Sequence, residues 1–89
     1  MPEALNMYLG YEIFFWIGDG NEPVHVHVAK KQQPNATKFW ITAYSVELAK
    51  DTGSVDSKDM KKMLRYLKKN RLRIIDRWLG RFGSASIKR

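Results

Sequence analysis

Glu22-Pro23-Val24-His25-Val26-His27-Val28 is the stretch on which the reading of this sequence turns. Side chains alternate between faces along an extended strand, so the three valines share one face and the two histidines the other. Pro23 has no N–H to give to a ladder, which suits the first residue of a strand. The aliphatic face asks for a cover. The other face places two imidazoles about 6.6 Å apart along the strand, close enough to converge on a metal ion, a phosphate or a reacting proton.

Outward from this strand the pattern stays at period two on both sides. Leu5 to Ile17 reads as two strands turning at Gly10. Leu5, Met7 and Leu9 alternate with Asn6 and Tyr8 in the first; Tyr11, Ile13, Phe15 and Ile17 alternate with Glu12, Phe14 and Trp16 in the second. Gly18-Asp19-Gly20-Asn21 reads as a turn. After the histidines, Lys30 to Asn35 makes a hairpin loop. Thr37 to Ala43 is a fourth strand, with Phe39, Ile41 and Ala43 opposite Lys38, Trp40 and Thr42. Ser45 to Lys50 reads as one helical turn, and Asp51-Thr52-Gly53-Ser54 as a connector.

From Asp56 the period changes to 3.6. Met60, Met63, Leu64, Leu67, Ile74, Ile75, Trp78 and Phe82 fall on one stripe, and most of the lysines and arginines on the other. Asp56 is the expected N-cap, Asp59 favours the first turn, and Gly80 and Gly83 are stop signals. An unbroken helix from Asp56 to Phe82 would span about 40 Å. That is long for so small a domain, so a break is expected near Asn70.

The expected fold is therefore α+β: an antiparallel sheet of about four strands packed against one long or two shorter C-terminal helices. Residues 1–83 form a single domain, and residues 84–89 a flexible tail. The sheet face away from the helices would carry Tyr8, Glu12, Phe14, Trp16, His25, His27, Lys38, Trp40 and Thr42.

The 89 residues include no cysteine, which excludes disulfides and thiolate metal sites. No signal peptide is legible at the start, and the apolar run from Ile13 to Ile17 is too short to cross a bilayer. A cytoplasmic protein with no membrane contact is expected. The net charge of +7 is unevenly placed: residues 56–82 hold ten Lys or Arg against three Asp, whereas residues 1–55 carry more acids than bases. Such an element fits a phosphate-rich or acidic partner.

Three constellations can carry function. The histidine pair would need further ligands to hold a metal. Glu12 is the only carboxylate assigned to the same face, with Asp19 and Glu22 as loop candidates. A cupin-like strand would want a glutamate where this chain has Lys30 and Lys31, and a histidine-triad strand a third histidine where it has Ala29. No metal and no cofactor are expected. The pair also suits acid–base chemistry. RNA cleavage by its own 2′-hydroxyl needs a proton acceptor, a donor and a cation, roles for His25, His27 and Lys38. Equally, both histidines can simply pack and hydrogen-bond within a sheet.

The aromatic side chains, Trp16 and Trp40 among them, are candidates for stacking unpaired bases, or for an ordinary core or interface. On the helix, Lys61, Lys62, Arg65, Lys68, Lys69 and Arg73 are candidates for phosphates or an acidic partner, against the plainer reading of a solvated face.

Gly10-Tyr11-Glu12-Ile13-Phe14-Phe15, Glu22-Pro23-Val24-His25-Val26-His27-Val28, Ala36-Thr37-Lys38-Phe39-Trp40 and Val46-Glu47-Leu48-Ala49, followed by a basic helix, occur in that order. Together they resemble the small bacterial domain-of-unknown-function family 4160, over nearly the whole chain. Thr37 departs from the usual alanine-lysine pair. The resemblance implies no reaction. It implies a protein partner encoded nearby, in an arrangement like a toxin–antitoxin pair. A looser likeness is to small RNA-cleaving toxins of the double-stranded-RNA-binding type, which begin with a helix that this chain lacks. The function expected is thus a component of a toxin–antitoxin-like module contacting RNA, DNA or its cognate protein. The alternatives are a metal-independent ribonuclease using the strand histidines and a purely structural interaction domain.

Overall fold

Leu9 and Gly10 both take positive φ, 53° and 82°, closing a two-residue hairpin of the type whose twist matches the strands it joins. The strands are β1 (Glu3–Tyr8) and β2 (Tyr11–Phe14). A one-turn 3-10 helix, Ile17–Asn21, then leads into β3 (His25–Ala29), followed by β4 (Thr37–Ile41) and β5 (Val46–Lys50). All neighbours pair antiparallel in the order β1-β2-β3-β4-β5, a simple meander. Two helices complete the α+β fold, α1 (Ser57–Lys69) and α2 (Arg71–Phe82). The computed structural model describes residues 3–88. Met1, Pro2 and Arg89 lie outside the described residues, and with them part of the N-terminal start and the last charge of the C-terminal tail.

The fifth strand corrects the expected helical turn at Ser45 to Lys50. A single helical turn is marginal by itself, whereas β4 offers a row of backbone donors and acceptors that must be satisfied. Residues 46–50 take them, with Ile41 opposite Val46 and Trp40 opposite Glu47. The turn between these strands is locked by Thr42, whose Oγ1 donates to the Ser45 carbonyl at 3.0 Å and accepts from the Ser45 N–H at 2.9 Å.

The helices cover the aliphatic face of the sheet, as the valine pattern required. Val24, Val26, Val28, Ile13, Phe15, Phe39 and Ile41 are buried against Met63, Leu67, Ile74 and Trp78. The break falls where expected. Asn70 separates α1 from α2, and its Nδ2 donates to the Tyr66 carbonyl at 2.8 Å. Arg71 then fixes the start of α2: its guanidinium donates to the Thr42 carbonyl at 2.7 and 3.1 Å and also to that of Ala43.

Two finer expectations are corrected. Irregular pairing between β1 and β2 shifts the register after Leu5, so Met7 turns out to solvent at 58% exposure while Tyr8 stacks on Tyr66 of α1 with ring centroids 3.9 Å apart. A bulge re-aims every later side chain of its strand. At the start of α1, Asp56 is the N-cap residue but its side chain makes no capping bond. The buried Tyr11 does the joining: its hydroxyl donates to Asp59 Oδ2 at 2.7 Å and accepts from the Asp56 N–H at 3.1 Å. Burial, with the nearby Asp56 and Asp59 charges, raises the Tyr11 pKa. Beyond Gly83, the Ser86 carbonyl accepts from the Val24 N–H and the Lys88 carbonyl from the Ala43 N–H.

Candidate functional site

The 3-10 turn exists to place one carboxylate. The Asp19 N–H donates to the Trp16 carbonyl at 3.1 Å, and the Trp16 N–H donates back to Asp19 Oδ2 at 2.8 Å. Gly20 lets the turn lie against α2, since a Cβ there would stand 2.8 Å from Phe82 Cδ1. The carboxylate is thereby held over the histidine face of β3. His25 Nε2 and His27 Nε2 each lie 3.1 Å from the same Asp19 oxygen. Asp19 and His25 are buried, and the His27 side chain is 12% exposed.

The protonation pattern of His25 follows from its neighbours. Its Nδ1 is 2.9 Å from the Pro23 carbonyl, which only accepts, so Nδ1 carries a hydrogen. In the neutral ring Nε2 then holds a lone pair, aimed toward an anionic oxygen. The alignment gives no hydrogen bond, and His25 Nε2 is a fully buried nitrogen without a partner among the described residues. Burial alone would raise the Asp19 pKa, but the bonds from the His27 ring nitrogen and the Trp16 N–H outweigh it and hold the carboxyl well below the usual carboxylate range. Asp19 is a fixed negative charge facing two imidazoles.

Aromatic rings close the site. Trp40 lies edge-on to His25 at 5.5 Å between centroids and Trp78 of α2 at 5.3 Å, while Phe14 and Trp16 flank His27 at 5.8 and 6.1 Å. His25 is therefore buried although the helices cover the opposite face, because Trp78 reaches the end of β3. Lys38, paired across the strands with His27, donates to Glu22 Oε1 at 2.6 Å and lies over the Trp40 ring at 4.2 Å. That bond from Lys38 lowers the Glu22 pKa. Of the three residues considered for acid–base chemistry, His27 and Lys38 keep exposed atoms and His25 does not.

The basic residues form a separate surface. Lys58, Lys61, Lys62, Arg65, Lys68 and Lys69 are all exposed and fall within an arc of about 120° around α1 at 100° per residue. Arg73, Arg77 and Arg81 continue the charge along α2, also exposed. Among the described residues none of these nine makes an ion pair. Trp16 and Trp40 stand with the histidines on the other side of the sheet. The candidate binding residues thus divide between two faces.

In the sequence Asp19 stands only as one of two loop carboxylates, beside Glu22. Its signal was the Gly-Asp-Gly turn just before the histidine strand, which gives a short return path but no direction for the side chain. Glu12, the carboxylate assigned to the histidine face, lies opposite Ala29, away from the pair's entry end. No helix among the described residues is long and apolar enough to cross a membrane.

A five-stranded antiparallel meander backed by a broken basic helix, with an aspartate-histidine-histidine cluster at one end, defines a small α+β domain with two chemically distinct faces. The chain belongs to the family described as Domain of unknown function (DUF4160), whose profile matches residues 10–79. No curated protein and no solved structure matches it.

Proposed function

We propose that this protein binds nucleic acid through its phosphate backbone, using the outward face of α1 and the first turns of α2. It would act in the cytoplasm as one member of a toxin–antitoxin-like pair, its protein partner encoded nearby. The observation that carries the nucleic-acid reading is the one-signed face of α1: six exposed cations in a single arc, without an acidic partner among the described residues. Charge runs on helices are usually relieved by i, i+4 pairing. Here Asp59 is engaged by Tyr11, and Asp76 is the one other acid within the helices. Cations spaced along a rigid helix neutralise successive phosphates and read no bases, so binding is expected to be strong at low salt and indifferent to sequence. The pairing with a second protein rests on the resemblance of the ordered motifs.

Fluorescence anisotropy with labelled RNA and DNA oligonucleotides of scrambled sequence tests the proposal. Binding that is similar across sequences and falls steeply with added salt is the expected result. A folded chain that leaves every oligonucleotide unbound at low salt overturns it, and an acidic protein becomes the partner to seek.

A further inference from the structure

We propose that Asp19, His25 and His27 form a binding site for a divalent transition-metal ion. The donor atoms of the three side chains all lie within 4.8 Å of one another. The Asp19 oxygen stands 3.1 Å from each imidazole nitrogen. Donors about 2.0–2.2 Å from a common ion are themselves separated by roughly 3.0–3.5 Å, which the two oxygen–nitrogen distances match.

The independent observation is the orphaned nitrogen. His25 Nε2 is buried, lacks a hydrogen-bond partner, and holds its lone pair toward the cluster because Nδ1–H is committed to the Pro23 carbonyl. That is the outer-shell arrangement that fixes an imidazole for coordination through its other nitrogen. Asp19 Oδ2 accepts from the Trp16 N–H, which holds the carboxylate over the histidines. Two facing lone pairs in a buried site call for a positive charge between them. A metal ion supplies it, and so would a proton on His25.

The donor chemistry narrows the ion. Two imidazoles and one carboxylate suit zinc, iron, cobalt, nickel or copper, whereas magnesium and calcium prefer all-oxygen sets. Three protein donors leave a coordination position for water or for a donor from a partner. Held so, the ion would pin the 3-10 turn to β3. The nearby Lys38 charge is offset by its bond to Glu22. This site is independent of the basic face of α1.

The test uses the full chain stripped with a chelator and titrated with cobalt(II), followed by zinc competition. Visible absorption saturating at one equivalent, displaced by zinc, and a rise in melting temperature with zinc are the expected results. Asp19→Asn and His27→Gln nearly preserve shape and should each weaken binding by more than about 100-fold, the upper end of what outer-shell losses cause. His27 is the less buried of the two histidines, so His27→Gln reads the site even if Asp19→Asn does not fold. No cobalt spectrum at millimolar metal, or unchanged affinity in a folded variant, overturns the proposal.

Discussion

Replacing Lys61, Lys62, Arg65, Lys68 and Lys69 by glutamine should flatten the salt dependence of nucleic-acid binding by a calculable amount. Each phosphate neutralised on a duplex contributes about 0.9 to the slope of log affinity against log salt, and about 0.7 on a single strand. If all five side chains sit on phosphates, the variant loses about 4.5 units of slope on a duplex and about 3.5 on a single strand. Raising salt fourfold, from about 50 to about 200 mM, should then weaken the wild type on a duplex about 500-fold more than the variant, and about 130-fold more on a single strand. The five residues are exposed and make no ion pair among the described residues, so each change should alter stability by no more than about 0.5 kcal/mol. Urea denaturation provides the control, and anisotropy at four or five salt concentrations gives the slopes. Parallel slopes for wild type and variant, with both chains folded, would refute the assignment of α1 as the phosphate-binding face.

Other outcomes follow from the packing. Tyr11→Phe removes a bond to a charged oxygen, worth roughly 1.5–3 kcal/mol; because Asp59 is only half-buried and can regain water, a loss of about 1.5 kcal/mol is expected, or about 6–12 °C in Tm for a domain of this size. Since the folded pKa of Tyr11 is raised, its protonation supports the fold fully below the unfolded value and less as pH climbs past about 10; a pH series of melts should show this alkaline loss in the wild type and a smaller one in Tyr11→Phe. Ile74→Ala empties a fully buried position and should cost roughly 2–5 kcal/mol by urea denaturation. Leu72→Ala, at 76% exposure two residues earlier, should stay within about 0.5 kcal/mol. Leu9→Asn places a residue tolerant of positive φ in the first hairpin and should stabilise by about 0.5–1 kcal/mol, read as a higher urea midpoint.

The sequence by itself determined the sides of the sheet, the cover and the charge. Val24, Val26 and Val28 alternate with His25 and His27, and period two forces them onto opposite faces whatever lies around them. The change to period 3.6 at Asp56 announced the helices, and their length set against the domain's size announced the break at Asn70. These are local regularities, legible because they repeat. Val46 to Lys50 carries too little period over five residues to separate a helical turn from a strand; the free edge of β4 decides it. The displacement of Met7 and Tyr8 depends on a bulge that their own alternation conceals. Only tertiary structure could turn Asp19 inward, because the direction of a loop carboxylate is set by its reciprocal bonds with Trp16 and by the close approach of Phe82 to Gly20. Only tertiary structure could bury His25, because Trp78 is more than fifty residues away along the chain and meets it only when α2 docks. Alternation gave the histidines a common face; the packing of distant segments brought a carboxylate to that face and buried His25.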